Sequence, residues 1–293
     1  MSFPAVSPRS VLVTGCSSGI GAATAGLLRD AGWQVFPTAR KPADLDALRA
    51  QGFDPVALDL AEAASVEQAA RELLVKTGGR LGALVNNAGF CQAGALEDVS
   101  REALRAQFET NVFGVHHLTR QLLPALRAQG CGRIVNISSV LGRISAPMLG
   151  SYCASKFALE ALSDALRIEL RSAGVWVALV EPGAVVSRFR QNAAETLARA
   201  VDSAPSGYGE VYAREIERRR HQVKRPDFFT RPPEDVARAV RHALESPRPR
   251  RRYRVGPAAV LTEWLVRCVP QAWIDPLLAR RVPARPAPTE PTP

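Results

Sequence analysis

A short apolar run, Val11 to Val13, leads at once into Thr14-Gly15-Cys16-Ser17-Ser18-Gly19-Ile20-Gly21 and then into a helix-like run from Ala22 to Asp30, closed by Gly32. This stretch limits the architecture more than any other. A strand that turns sharply into a helix needs glycine where the turn is tight and where another group comes close to the backbone. Gly15 permits the tight turn, Gly19 lets a ligand approach the main chain, and Gly21 allows close helix packing, with the helix N-terminus facing the ligand. Those are the requirements of a dinucleotide pyrophosphate, and Ser17, Ser18 and Ile20 lie in the same turn. A flexible turn would account for one glycine, but not for three at this spacing. A P-loop is excluded because no Lys follows the last glycine.

The next strand, Gln34 to Ala39, ends at Arg40-Lys41, about twenty residues beyond the glycine turn. An acidic residue there would bind the adenosine ribose of NAD, whereas a basic one accommodates the extra phosphate of NADP. Arg40 therefore favours NADP over NAD, a solvated arginine being the plainer alternative. Pro42 to Ala50 reads as a helix, Pro55 to Leu60 as a strand carrying Asp59, and Ser65 to Lys76 as a helix with Ser65 as its N-cap. Leu84 and Val85 lead into Asn86-Asn87-Ala88-Gly89, where amides and small residues at a strand end can line a groove and tie strands together. Ser100 to Gln129 reads as one long helix, with polar Asn111 set among apolar neighbours. Strands at Ile134 to Ser138 and Val175 to Val180 follow, the latter ending in Glu181-Pro182-Gly183. The alternation predicts an α/β fold, a doubly wound parallel sheet, with the ligand site at the carboxyl ends of the strands.

Chemistry concentrates between Ile134 and Leu162. Tyr152 and Lys156 stand four apart on a helix that begins near Ser151, so they share a face about one turn from each other. A tyrosine hydroxyl titrates near pH 10, too high for a good base at neutral pH. A fixed ammonium and a helix N-terminus are expected to pull it down, and Tyr152 could then exchange a proton with an alcohol or carbonyl. Ser139, at the preceding strand end, is placed to hydrogen-bond the same oxygen.

Taken in order, T-G-x-x-x-G-I-G at Thr14 to Gly21, N-N-A-G at Asn86 to Gly89, Asn111, the Ser139/Tyr152/Lys156 set and Pro182-Gly183 resemble the short-chain dehydrogenases/reductases, over roughly Val11 to Val186. Thr-Ala-Arg and Tyr-Cys-Ala-Ser-Lys-Phe-Ala-Leu-Glu are similar to the hydroxysteroid and retinol dehydrogenase-like members. The resemblance implies a Rossmann fold and hydride transfer between an alcohol and a carbonyl. It implies that Tyr152 is the acid/base, that Lys156 lowers its pKa and bonds the nicotinamide ribose, that Ser139 orients the substrate oxygen and that Asn111 supports a proton-relay water. It also implies that Ser17 and Arg40 meet the NADP phosphate, that Asp59 meets the adenine, and that Asn87, Ala88, Gly89, Pro182, Gly183 and Val185 line the cofactor. One departure is visible: where the family usually places Thr after the proline-glycine turn, the nearest hydroxyl is Ser187.

With 293 residues, 46% of them hydrophobic, one core suffices. The expected organisation is a catalytic domain over 1–256, including a basic, substrate-covering segment at 188–233, an amphipathic helical segment at 257–282 and a disordered tail at 283–293. Met1 to Ser10 lacks the pattern of a secretory signal, and no run of 18 apolar residues occurs. Five cysteines without a C-x-x-C pair argue for a reducing cytosol and against disulfides or metal. The net charge of +10 comes without a nucleic-acid-reading motif, so no nucleic acid is expected. Leu141, Ile144, Met148 and Val185 suggest a lipophilic steroid, retinoid or long-chain substrate. A homodimer or homotetramer is expected from the resemblance. The apolar spacing of Val260, Leu261, Trp264, Leu265, Cys268 and Val269, repeated at Trp273, Ile274, Leu277 and Leu278, either closes the core or pocket or lies on a membrane surface. The competing reading of the whole chain is a dinucleotide-binding regulatory protein without turnover.

Overall fold

Strands covered on both faces must be apolar along most of their length, and here they form one sheet: Ser10–Val13 (β1), Gln34–Ala39 (β2), Val56–Ala57 (β3), Ala83–Asn86 (β4), Arg133–Ile137 (β5), Trp176–Pro182 (β6) and Arg252–Val255 (β7). The computed structural model describes residues 3–187, 189, 192, 193, 195–197, 208–224 and 229–279. All seven strands run parallel in the order β3-β2-β1-β4-β5-β6-β7. Winding reverses between β1 and β4, and the crevice at the carboxyl ends of these strands is the position where such a sheet takes a ligand.

Alternate strand residues feed two cores. Val11, Val13, Val85, Val135 and Val180 pack toward Gly19–Asp30 (α1) and, late in the chain, Pro233–Glu245 (α8), through Leu28, Val236 and Val240. Leu12, Leu84, Ile134 and Val177 face the opposite way, toward Ala63–Lys76 (α3), Val115–Ala128 (α5) and Gly150–Glu169 (α6), through Val66, Leu73, Leu118, Leu122 and Leu159. Helices Pro42–Ala50 (α2), Arg101–Phe108 (α4), Gly209–Lys224 (α7), Pro257–Cys268 (α9) and Gln271–Ala279 (α10) complete the set. The doubly wound α/β, Rossmann-type architecture is thus the one expected.

Three local readings are corrected. The strand expected over 55–60 pairs only at Val56 and Ala57, because Asp59 turns away, its N–H donating to Ser65 Oγ. Ser65 is therefore not an N-cap; α3 starts two residues earlier, after Glu62. The helix expected over 100–129 is interrupted by a π-helical turn, Glu109–Gly114, between α4 and α5. Gly114 is pressed against the chain beyond β3, where an added Cβ would stand 2.0 Å from Leu60 O. Wide turns of this kind recur at functional sites, and Asn111 lies in it. The tail at 283–293, residues 280–282 and much of 188–233 lie outside the described residues. Among the described residues no helix is long and apolar enough to cross a membrane.

Candidate active site

Ser139, Tyr152 and Lys156 come together at the carboxyl end of β5. Ser139 follows the strand in extended conformation, and its Oγ accepts from Leu141 N at 3.1 Å, capping a short 3₁₀ turn, Val140–Gly142. The first turns of α6 bury Tyr152 and Lys156 against it. Lys156 Nζ donates to Ile137 O at 2.8 Å and lies 5.7 Å from the centre of the Tyr152 ring. The Ser139 side chain lies close enough to the Tyr152 hydroxyl to favour its ionised form.

The electrostatics differ from the expectation. Burial pushes the Tyr152 hydroxyl above its usual range, the neighbouring Cys91 thiol adds to this, and the Ser139 side chain opposes it. Burial also brings Lys156 down to about 8, against the pull of Glu160 and Cys91. Desolvation of both groups outweighs the ammonium's effect on the phenol. Around neutral pH Tyr152 is therefore a neutral phenol, a group with a proton to give.

Asn111 reaches two elements from its π turn. Its Nδ2 donates to Phe90 O at 3.0 Å and Ser155 Oγ at 3.2 Å, and its Oδ1 accepts from Phe90 N at 3.1 Å. Ser155 Oγ in turn donates to Tyr152 O at 2.7 Å. The amide thus holds the segment after β4 against the helix that carries Tyr152.

The glycine turn sits beside this cluster. Gly15 has φ +73°, and a Cβ there would stand 2.9 Å from Ala88 Cα; one on Gly21 would stand 2.1 Å from Gly15 O. Asn87 N and Ala88 N both donate to Thr14 Oγ1 at 2.9 Å, and Asn87 Nδ2 donates to Thr14 O at 2.8 Å. Asn87 and Ala88 thereby lock the end of β4 to the turn after β1, while Gly89 lies against Asn111, where a Cβ would stand 3.0 Å from its Oδ1. Ser18 precedes α1 without a side-chain cap, and Ser17 is exposed beside it. The first amides of α1 are thus left for a phosphate. Ser187 crosses the turn, its Cβ 3.2 Å from where a Cβ on Gly19 would be. Arg40 is 67% exposed and 3.6 Å from Asp59 Oδ2. The uncapped helix start, the exposed Arg40 and the Lys156 ammonium, which donates to Ile137 O, all fit a phosphate-bearing dinucleotide.

Not every predicted residue joins the Tyr152 side. Leu141 and Met148 pack with Tyr152, Cys91, Ala93 and Phe189 in an apolar cluster, the Phe189 ring 5.4 Å from that of Tyr152. Val185 instead bridges Arg231 and packs into the core shared by β1 and β5, so it is not part of that apolar cluster. Gly183 N donates to Val255 O at 3.0 Å, which joins the Pro182-Gly183 turn to β7.

Sequence reasoning missed a buried charge network behind the site. Arg252 reaches Asp164 at 2.6 Å and Glu160 at 3.0 Å on α6, and lies 2.9 Å from Glu181 on β6 in an ion pair without hydrogen-bond alignment. Arg254, two residues on along β7, pairs with Glu263 of α9 at 2.9 Å. The only hint in the sequence was Arg-Tyr-Arg-Val at strand period two. Burial, and Glu160 beside it, push Glu181 up to about 7. An acid raised in the folded state holds its proton longer than in the unfolded chain, so stability falls as pH rises from about 4.5 through 7. Glu181→Gln should match the parent below pH 4.5 and exceed it by about 1–3 kcal/mol above pH 7, measured by denaturant unfolding across that range. A constant offset at all pH values would disprove this.

A parallel sheet with a glycine turn at its switch point and a Ser, Tyr and Lys cluster at the neighbouring strand end defines a dinucleotide-dependent oxidoreductase. The chain belongs to the short-chain dehydrogenase family, whose sequence model matches residues 9–198. It is 42% identical over 277 residues to the "uncharacterized oxidoreductase YbbO" of Escherichia coli (strain K12), covering 93% of this chain and 95% of that protein. It is 33% identical over 275 residues to an NADPH-dependent 3-dehydrocapnine reductase of Ornithobacterium rhinotracheale, covering 91% and 95%. A Burkholderia phymatum short-chain dehydrogenase/reductase solved in complex with NAD superposes with a TM-score of 0.75 at 26% identity, over 100% of this chain and 99% of that one. The protein is accordingly an oxidoreductase acting on alcohol and carbonyl groups with a nicotinamide dinucleotide.

Proposed function

We propose that the chain uses NADP to interconvert a lipophilic alcohol and its carbonyl, with Tyr152 as proton donor and acceptor. The observation that carries this is the buried, neutral Tyr152 phenol, set beside Ser139 and walled by Cys91, Ala93, Met148 and Phe189. In reduction the Tyr152 proton passes to the carbonyl oxygen while Ser139 hydrogen-bonds that oxygen and fixes its position. Lys156, held by Ile137 O, stabilises the phenolate left behind. Asn111 holds Phe90 and α6 in register and supports the water through which the proton is replaced. Tyr212 of α7 donates to Asp98 and accepts from Ala95 N at 2.9 Å, which pins α7 to the segment after β4.

The nicotinamide, when bound, supplies the hydride in reduction and accepts it in oxidation. The residues that would hold the dinucleotide are Gly15, Ser17, Ser18, Gly19, Ile20 and Gly21 at its pyrophosphate, Arg40 with Ser17 at the extra phosphate, and Asp59 at the adenine. Asn87, Ala88, Gly89, Tyr152, Lys156, Pro182, Gly183 and Val185 complete its path. Arg40 supports NADP, as does the NADPH named for the Ornithobacterium relative.

The test is a panel of carbonyls of graded apolar length, run with NADPH and with NADH. The expected outcome is kcat/KM rising with apolar length and a preference for NADPH that falls at least about tenfold in Arg40→Glu, in keeping with loss of one charge-assisted contact. Turnover confined to small polar carbonyls would sink the substrate class, and an unchanged preference in Arg40→Glu the cofactor assignment.

A further inference from the structure

Both C-terminal helices turn large apolar side chains outward, and α9 turns an acid inward. On α9, Val260, Leu261 and Trp264 are 49%, 54% and 66% exposed, while Glu263 turns inward with its side chain 11% exposed. On α10, Trp273 and Leu277 are 74% and 55% exposed, and Ile274, one residue on from Trp273, is buried. The orientation of α9 is held in place: Glu263 is 2.9 Å from Arg254 and 3.7 Å from Arg143, so rolling α9 to bury Trp264 would cost Arg143 this ion pair and leave Arg254 with the more distant Glu181, at 3.7 Å. Apolar side chains kept outward in this way mark an interaction surface.

We infer that the exposed face of α9 and α10 docks on an anionic membrane surface. Two features favour lipid over a second copy of the chain. Tryptophans with a polar N–H edge suit the boundary between headgroups and acyl chains, and this face is flanked by Arg267, 77% exposed, and in sequence by Arg280 and Arg281. The chain carries a net charge of +10, which draws it to anionic lipid and repels it from another copy of itself. The start of α9 also meets the Pro182-Gly183 turn at the carboxyl end of β6, since Ala258 Cβ lies 3.1 Å from where a Cβ on Gly183 would stand. An apolar substrate could then pass from lipid to site without crossing bulk water, but the docking itself does not depend on the proposed reaction.

The experiment is vesicle flotation of the full chain, with phosphatidylcholine vesicles that contain or lack phosphatidylglycerol, and no turnover is measured. The chain should float with the anionic vesicles, less at high salt. The Trp264→Ala/Trp273→Ala double variant should lose at least about tenfold in bound fraction, since two apolar anchors are removed. Both positions are exposed, so the core is untouched, and Val75→Ala, at another exposed apolar position on α3, should bind as the parent does. No flotation with either vesicle, equal flotation with both, or full binding by the double variant would each overturn the proposal. So would a fall in molar mass of the double variant by light scattering without any vesicle binding, which would assign the face to a second copy.

Discussion

Tyr152→Phe is expected to lower kcat/KM for carbonyl reduction by about 10²–10⁴, the usual contribution of a positioned acid. One oxygen is removed, and the ring keeps its place among Met148, Cys91 and Phe189. The fold should lose no more than about 1 kcal/mol, because one hydroxyl is removed while the packing of the ring is kept. Steady-state rates of NADPH oxidation and a fluorescence titration of NADPH binding, measured on the same preparation, separate chemistry from assembly. Binding should persist while turnover collapses. Turnover at the parent's rate would mean that the proton comes from another group, and the proposed role of Ser139 would go with it.

Lys156→Met should produce a protein that is more stable and much less active. The Lys156 ammonium is buried and held down to about 8, against 10.5 for an ordinary lysine. Between those values the unfolded chain binds a proton that the folded chain does not, so stability rises with pH across the window. Below about pH 8 the whole penalty is present, about 3 kcal/mol for a shift of this size. Methionine fills similar space without charge, and the loss of the hydrogen bond to the Ile137 carbonyl takes back part of the gain. The variant should therefore exceed the parent by about 1–3 kcal/mol at pH 7, with the gap closing as pH approaches 10.5. Its kcat/KM should fall at least about 100-fold, because nothing then stabilises the Tyr152 phenolate. Denaturant unfolding from pH 6 to 10 and steady-state kinetics check the two halves. A variant less stable than the parent at pH 7 would show that Lys156 holds the fold together.

How far the chain could be read from its residues depends on how local each feature is. The glycine turn occupies eight consecutive positions, and its strand and helix adjoin it, so β1 and α1 were legible almost residue by residue. The same holds for β2 and α2, whose bounds match the expected ones at both ends. Where the readings slipped, a distant contact intervened. Leu60 against Gly114 opened the π turn in what read as one helix, and Asp59 took the hydroxyl of Ser65 away from a capping role.

The candidate site divides in the same way. Spacing alone put Tyr152 and Lys156 on one face of a helix, because 3.6 residues per turn leaves little choice. The charge on each was another matter. It depends on how completely β5, α6 and the segment after β4 exclude water, and burial reversed the expected direction for Tyr152. The Glu160, Glu181 and Arg252 network joins three elements that only the sheet order makes neighbours.

By itself, the sequence determined the class of fold, the order of its elements and the residue types at the strand ends, since helix and strand periods and glycine turns act over a few residues. Tertiary structure alone decided which of those residues are dry, how they are charged, and that α9 turns its tryptophan outward and its glutamate in. Those properties come from desolvation and from ion pairs between residues far apart in the chain, which no local pattern encodes.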